Sequence, residues 1–145
     1  MDELYRDQIL EHYKRPHNFG RIESPDLEFE DTNPFCGDEQ RVTIRLDESD
    51  RVAEIAFDGK GCAISTAATS LLTDELIGMS REELLRLPKD FVLELLGIDI
   101  SATRMKCAML GLKIVKSAGL GSPADWEDEG EAGSPDEATA DLGRL

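Results

Sequence analysis

Basic residues and paired cysteines are what this chain has too few of. Sixteen Lys and Arg stand against thirty-one Asp and Glu, a formal net charge of −15. A phosphate backbone would be repelled by that balance, so no nucleic-acid partner is expected. The three cysteines are odd in number and none sits in a Cys-x-x-Cys pair, which argues against a secreted disulfide framework. No apolar run is long enough to span a bilayer. The first residues, with Asp2 and Glu3, are charged rather than signal-like. No membrane partner is expected, and the expected location is cytoplasmic. Arginine outnumbers lysine ten to six, compatible with a salty cytoplasm or simply with solubility. No internal repeat is present. At 145 residues the chain fits one domain and can bury a core without covalent braces.

The patterning changes period along the chain. Leu4, Tyr5, Ile9 and Tyr13 recur at helical spacing, predicting a helix over 2–14 that Pro16, Asn18 and Gly20 break. Leu27 and Phe29 alternate with acids, then Val42, Ile44 and Leu46, then Ala53, Ile55 and Phe57, each set reading as a half-buried strand bounded by turns. Three strands with short connections predict an antiparallel meander. After Cys62, Ile64, Ala67, Ala68, Leu71 and Leu72 mark a helix rich in small residues. Ser80 with Glu83 forms a capping-box pattern for a short helix that Pro88 ends. Phe91, Leu95 and Leu96 predict another short helix before Gly97. Ser101 would cap a last helix carrying Met105, Ala108, Met109, Leu112 and Val115, with Gly119 following its end. Strands first and helices after give an α+β class, a small three-stranded antiparallel sheet packed against helices. The expected organisation is a domain over 1–120 and an acidic tail over 121–145. From Gly121 onward eight acids and one arginine show no apolar period, so the tail is expected to be disordered.

The chemistry concentrates in three phrases: Asn33-Pro34-Phe35-Cys36-Gly37-Asp38, Gly59-Lys60-Gly61-Cys62-Ala63-Ile64-Ser65 and Arg104-Met105-Lys106-Cys107-Ala108. Three thiolates and one carboxylate complete a four-coordinate set for zinc or iron. Gly37 lets Cys36 and Asp38 point to one centre from a single loop, and Gly59 and Gly61 are expected to hinge the approach to Cys62. Cys62 would lie near a helix N-terminus, where the dipole favours a thiolate. Cys107 has Arg104 and Lys106 as neighbours, and cations also favour a thiolate. Taken singly, each cysteine reads as a small buried hydrophobe; taken together, with two flanked by glycines, they read as a site. His12 and His17 lack ligand spacing to any cysteine and are expected to be solvated.

Leu4-Tyr5, Glu11-His12-Tyr13, Pro16, Asn18 and Gly20, followed by the Cys36, Cys62 and Cys107 phrases, resemble the IscU/SufU (NifU N-terminal) family of iron–sulfur cluster assembly proteins. The resemblance runs in order from residue 2 to about 118 and leaves the tail outside. It implies a SufE/NifU-like fold and a protein that takes sulfane sulfur from a cysteine desulfurase. It also implies that Cys36, Asp38, Cys62 and Cys107 hold zinc, or alternatively iron or a transient two-iron two-sulfur cluster. Downstream recipients would be a cluster scaffold or apo iron–sulfur proteins.

Two branches are in view. Lys106 stands where scaffold members carry histidine, and Ile100-Ser101-Ala102-Thr103 contains no Leu-Pro-Pro-Val-Lys motif, both as in the SufU branch. Only 44 residues separate Cys62 from Cys107, the shorter spacing of the scaffold branch. The reading leans to a SufU-like sulfur relay partnered by a SufS-like desulfurase, rather than a stand-alone enzyme. By resemblance, Cys36 (SufU branch) or Cys107 (scaffold branch) would carry the persulfide. An IscU-type scaffold is the alternative. A purely structural zinc domain is a further one, disfavoured because the close Cys-x-x-Cys pairs of such sites are missing. A thiol hydrolase lacks a Cys–His partnership near any cysteine.

Overall fold

A computed structural model of the chain describes residues 2–33 and 37–121. Its elements are α1 (Asp2–Lys14), β1 (Leu27–Asn33), β2 (Asp38–Leu46), β3 (Val52–Lys60), α2 (Ala63–Leu76), α3 (Arg81–Leu85), α4 (Lys89–Leu96) and α5 (Ala102–Leu120). The strands form one antiparallel sheet in the order β1-β2-β3, and α2 and α5 pack on it. This is the α+β architecture that the change of period predicts. No helix among the described residues is long and apolar enough to cross a membrane. The acidic tail expected to be disordered lies, from residue 122 on, outside the described residues.

Register decides what the sheet presents to the helices. Leu27 pairs with Ile44 and Ile44 with Ile55; Phe29 pairs with Val42 and Val42 with Phe57. These two rows are apolar, and Val42, Ile44 and Phe57 are at most 1% exposed. Burying each such side chain contributes about 1.5–3 kcal/mol. The next row is Asp31, Gln40 and Gly59, and at the end of β1 Asn33 pairs with Asp38. One face of one sheet therefore grades from hydrocarbon to polar over its length.

Sequence alternation placed Ala53 in the core, and the structure corrects this. Arg45 pairs with Glu54 but Leu46 with Val52, so Ala53 is the extra residue of a bulge. An extra residue reverses the alternation beyond it. Val52 is consequently buried and Ala53 exposed.

The helical patterns also differ in detail. On α1, Ile9 and His12 face inward, while Leu4 and Tyr13, read as part of the apolar face, are exposed. The helix is turned by a polar anchor, the His12 Nδ1 contact with Ser70 Oγ at 2.6 Å. From Cys107 to Gly119, α5 is buried nearly all round rather than along one stripe, because the sheet lies on one side of it and α2, α3 and α4 on the others. Met105, read as core, is only partly buried. At Gly111 a Cβ would fall 2.2 Å from Thr69 Oγ1, so the missing side chain lets α2 and α5 meet. Gly119 does not end the helix. It lies inside α5, beside Leu85, and its carbonyl accepts from Arg81 Nε at 3.1 Å. The left-handed cap is Gly121, at φ 79°, donating to the Ser117 carbonyl. The Ser80–Glu83 capping box forms with both reciprocal bonds, and the Ser80 backbone N–H holds the Glu83 carboxyl below its ordinary range. Ser101 takes the N-cap position of α5 without a side-chain capping bond.

Candidate metal centre

The polar end of the sheet is where the three cysteine phrases meet. Asp38 opens β2, inward-facing and 1% exposed. Its Oδ1 accepts the Cys62 backbone N–H at 3.0 Å, and its Oδ2 lies 4.0 Å from Cys62 Sγ. That backbone bond ties the start of β2 to the start of α2, which are 24 positions apart in the chain.

Cys62 is the N-cap of α2, and its sulfur accepts from the Ser65 N–H at 3.5 Å. An N-cap side chain normally satisfies one of the orphan N–H groups of the first turn; here a sulfur does so. Behind it, Gln40 Nε2 donates to the Ser65 carbonyl at 3.2 Å, and Thr69 Oγ1 lies 2.8 Å from Gln40 Oε1. The start of α2 is thus fixed by buried polar groups of β2.

The glycines act in two ways. Gly59 sits at φ +127° with the position of a Cβ 2.1 Å from the Glu39 carbonyl oxygen, so only glycine fits there. Gly61 was expected to be a second hinge; its role is one of space. A Cβ there would lie 2.4 Å from Ser65 Oγ and 2.9 Å from Asp38 Oδ1. Any side chain would wedge the carboxylate away from the helix start.

Cys107 enters from α5, 1% exposed. Arg104 and Lys106 are themselves exposed; Lys106, adjacent in the helix, diverges from Cys107 by about 100°. Asn33 Nδ2 donates to Cys107 Sγ at 3.7 Å, from 74 positions away in the chain. One ligand atom each from Asp38, Cys62 and Cys107 lie within 4.8 Å of one another. Cys36, the fourth residue expected here, lies outside the described residues. Two soft sulfurs and one hard carboxylate oxygen converging so closely fit a borderline cation such as zinc or iron. The enclosure is uneven: Asp38 and Cys107 are buried, Cys62 is only half-buried, and neighbouring Gly37 and Lys60 are exposed. A partner can approach from that side.

The two histidines stand elsewhere, and His12 is not the solvated residue the sequence predicts. It is buried against Ser70, with the His17 ring 4.3 Å away. His17 is half-exposed and contacts Asp74 at 2.6 Å. Burial first, then the His17 charge, lowers the His12 pKa below 6.5, with Asp74 and Glu11 acting the other way. Neither histidine belongs to the three-donor group among the described residues.

Asn33, Gln40, Ser65 and Thr69 are site-supporting residues that the motif reading passed over. Ser65 was detectable, since it stands three residues after a potential N-cap. Asn33 was not, because its role depends on the strand register opposite Asp38.

Comparisons with known proteins agree with this geometry. The family model described as NifU-like N terminal domain matches residues 4–121. An "iron–sulfur cluster assembly scaffold protein IscU" of Streptococcus pyogenes serotype M1 is 42% identical over 91 residues, 63% of this chain and 56% of that protein. The chain thus spans little more than half the length of that relative. The "zinc-dependent sulfurtransferase SufU" of Bacillus subtilis (strain 168) is 33% identical over 133 residues, 80% of this chain and 89% of that protein. The fold is shared with a crystal structure of a candidate SUF-system assembly scaffold from Fervidobacterium islandicum AW-1. Its TM-score is 0.69 at 24% identity, covering 78% of this chain and 94% of that one. With the family model matched over residues 4–121 and a family relative 33% identical across 80% of this chain, the chain belongs to the NifU-like N-terminal domain (IscU/SufU) family.

Proposed function

We propose that this protein serves iron–sulfur cluster assembly by accepting persulfide sulfur from a cysteine desulfurase. The observation that carries the reading is the convergence of Asp38, Cys62 and Cys107 within 4.8 Å at a half-open edge of the fold. A resident zinc would be held by these three with Cys36 as fourth donor, and would supply the positive charge that keeps the sulfurs as thiolates. A purely structural zinc site is disfavoured because the close Cys-x-x-Cys pairs that such sites use are missing from the sequence. The relative named a zinc-dependent sulfurtransferase supports the same reading.

The transfer is a thiol–disulfide-type exchange. The Cys36 thiolate attacks the terminal sulfur of the desulfurase persulfide. A new S–S bond forms on Cys36, the S–S bond of the desulfurase breaks, and its cysteine leaves as a thiolate. The sulfur keeps its oxidation level, so no external oxidant or reductant is consumed. Cys107 is enclosed, at 1% exposure, which counts against it as the acceptor and supports Cys36, the residue that the SufU-branch resemblance points to. The recipients are a cluster scaffold or apo iron–sulfur proteins.

A second reading, a scaffold on which a two-iron two-sulfur cluster is built from delivered iron and sulfur, is favoured by the 44-residue Cys62–Cys107 spacing and by the relative named a scaffold. Anaerobic assays with desulfurase, cysteine and ferrous iron separate the two. Sulfur acceptance predicts that desulfurase turnover rises with this protein, that the persulfide maps to Cys36 by mass spectrometry, and that Cys36→Ser abolishes the stimulation. Accumulation of a transferable cluster with unchanged turnover would establish the scaffold instead.

A further inference from the structure

Asn33 touches two parts of the site at once. Its backbone carbonyl accepts the Gly37 N–H at 2.8 Å, just before Asp38. Its side chain, in a residue only 5% exposed, donates from Nδ2 to Cys107 Sγ at 3.7 Å. A buried carboxamide must place its N–H groups on acceptors, and the Cys107 sulfur is within reach of one of them. The register fixes the pairing: Asn33 lies opposite Asp38, at the mouth of the hairpin, with α5 packed on β1.

The two described sulfurs are restrained differently. The Cys62 sulfur accepts the Ser65 backbone N–H and lies 3.8 Å from Ser65 Oγ and 4.0 Å from Asp38 Oδ2, contacts from its own helix start and from β2. Cys107 receives the side-chain amide of Asn33, from a different strand. A hydrogen bond to sulfur draws electron density from the lone pair that would attack an electrophile, and it fixes the orientation of the side chain.

We infer that Asn33 is a positioning residue whose amide hydrogen-bonds the Cys107 sulfur, holds it in place and suppresses its nucleophilicity, leaving another cysteine to react first. Its consequence for sulfur transfer rests on the function proposed above. The hydrogen bond does not, and it is measured without any desulfurase.

The test follows iodoacetamide modification of each cysteine in the reduced, metal-free full chain by mass spectrometry, at about pH 10, above the ordinary cysteine range. The readout is the Cys107-to-Cys62 rate ratio, an internal control that a general loosening of the fold would not move selectively. Asn33→Ala removes the donor and opens space; Asn33→Leu removes the donor and keeps the side-chain shape. Both should raise the ratio about fivefold, what losing one ordinary hydrogen bond to the reacting atom amounts to as a rate. A rise in Asn33→Ala alone would mean that access, not hydrogen bonding, protects Cys107, and would overturn the inference; so would no rise in either. In the unsubstituted chain, the Asn33 carboxamide proton resonance should exchange slowly with solvent and shift in Cys107→Ser. Exchange at the solvent rate would overturn the inference independently of how the variants fold. Loss of desulfurase stimulation with the ratio still responding, or the reverse, separates failure of the proposed function from failure of this inference.

Discussion

The two ends of the sheet's inner face share strands, twist and helical cover, yet they do opposite work. At one end Leu27, Ile44 and Ile55, then Phe29, Val42 and Phe57, form apolar rows against the helices. Nothing there requires a partner atom; the only requirement is that space be filled. At the other end every inward polar group has a specific contact. Asp31 meets Lys113 at 3.1 Å, Gln40 meets Ser65 and Thr69, Asp38 meets Cys62, and Asn33 meets Cys107. The comparison teaches that stability and chemistry are separated by about two residues along a strand. The hydrocarbon rows hold the sheet against α2 and α5, and that packing holds the two helix-borne cysteines over the polar rows.

The sharpest break of that division is Phe57→Ala in an apolar row. Large-to-small changes at such positions cost about 3–5 kcal/mol, so denaturant unfolding of the metal-free protein should shift by that amount, while the folded fraction still binds metal. At the polar end the converse is expected. Cys62→Ser should lose the bound zinc or iron found by elemental analysis of anaerobically purified protein. Its metal-free stability should scarcely fall, because serine is itself a preferred N-cap. Unchanged metal content in that variant would refute the site assignment.

A smaller effect belongs to the helix pair outside both regions. The folded pKa of His12 is depressed, first by burial, so the unfolded chain binds the proton more readily. Stability is full above the unfolded value of about 6.5 and declines as pH falls from there through the lowered folded pKa. Replacing His12 by Gln should flatten the melting temperature between pH 7 and 5, with metal affinity at pH 7 unchanged; a slope that persists would place its origin elsewhere. The smallest effect is expected from the acidic tail. Truncation after Gly121, which keeps the cap of α5, should alter unfolding free energy by no more than about 0.5 kcal/mol and leave metal content intact.

Most of the scaffold was legible in the sequence because its signals are local. Alternation in Val42, Ile44 and Leu46 marks a strand wherever it occurs, and Ser80 with Glu83 marks a helix start from side-chain chemistry alone. The errors came where a neighbour decides. Ala53 went outward because it is the extra residue of a bulge in β3, fixed by the register with β2. Leu4 and Tyr13 went outward because Ser70 holds His12. Gly119 stayed inside α5 because Leu85 and Arg81 meet it there.

The site divides in the same way. By itself the sequence determined its donor types: cysteine and aspartate identities, the glycines that admit tight approaches, and a helix beginning at Cys62 are all properties of short segments. Only the tertiary structure decided that β2, α2 and α5 bring ligand atoms of Asp38, Cys62 and Cys107 within 4.8 Å of one another, and that Asn33 reaches Cys107 across 74 positions. Such contacts depend on strand register and helix packing. These are set by the summed burial of residues far from the site, and no short segment encodes that sum.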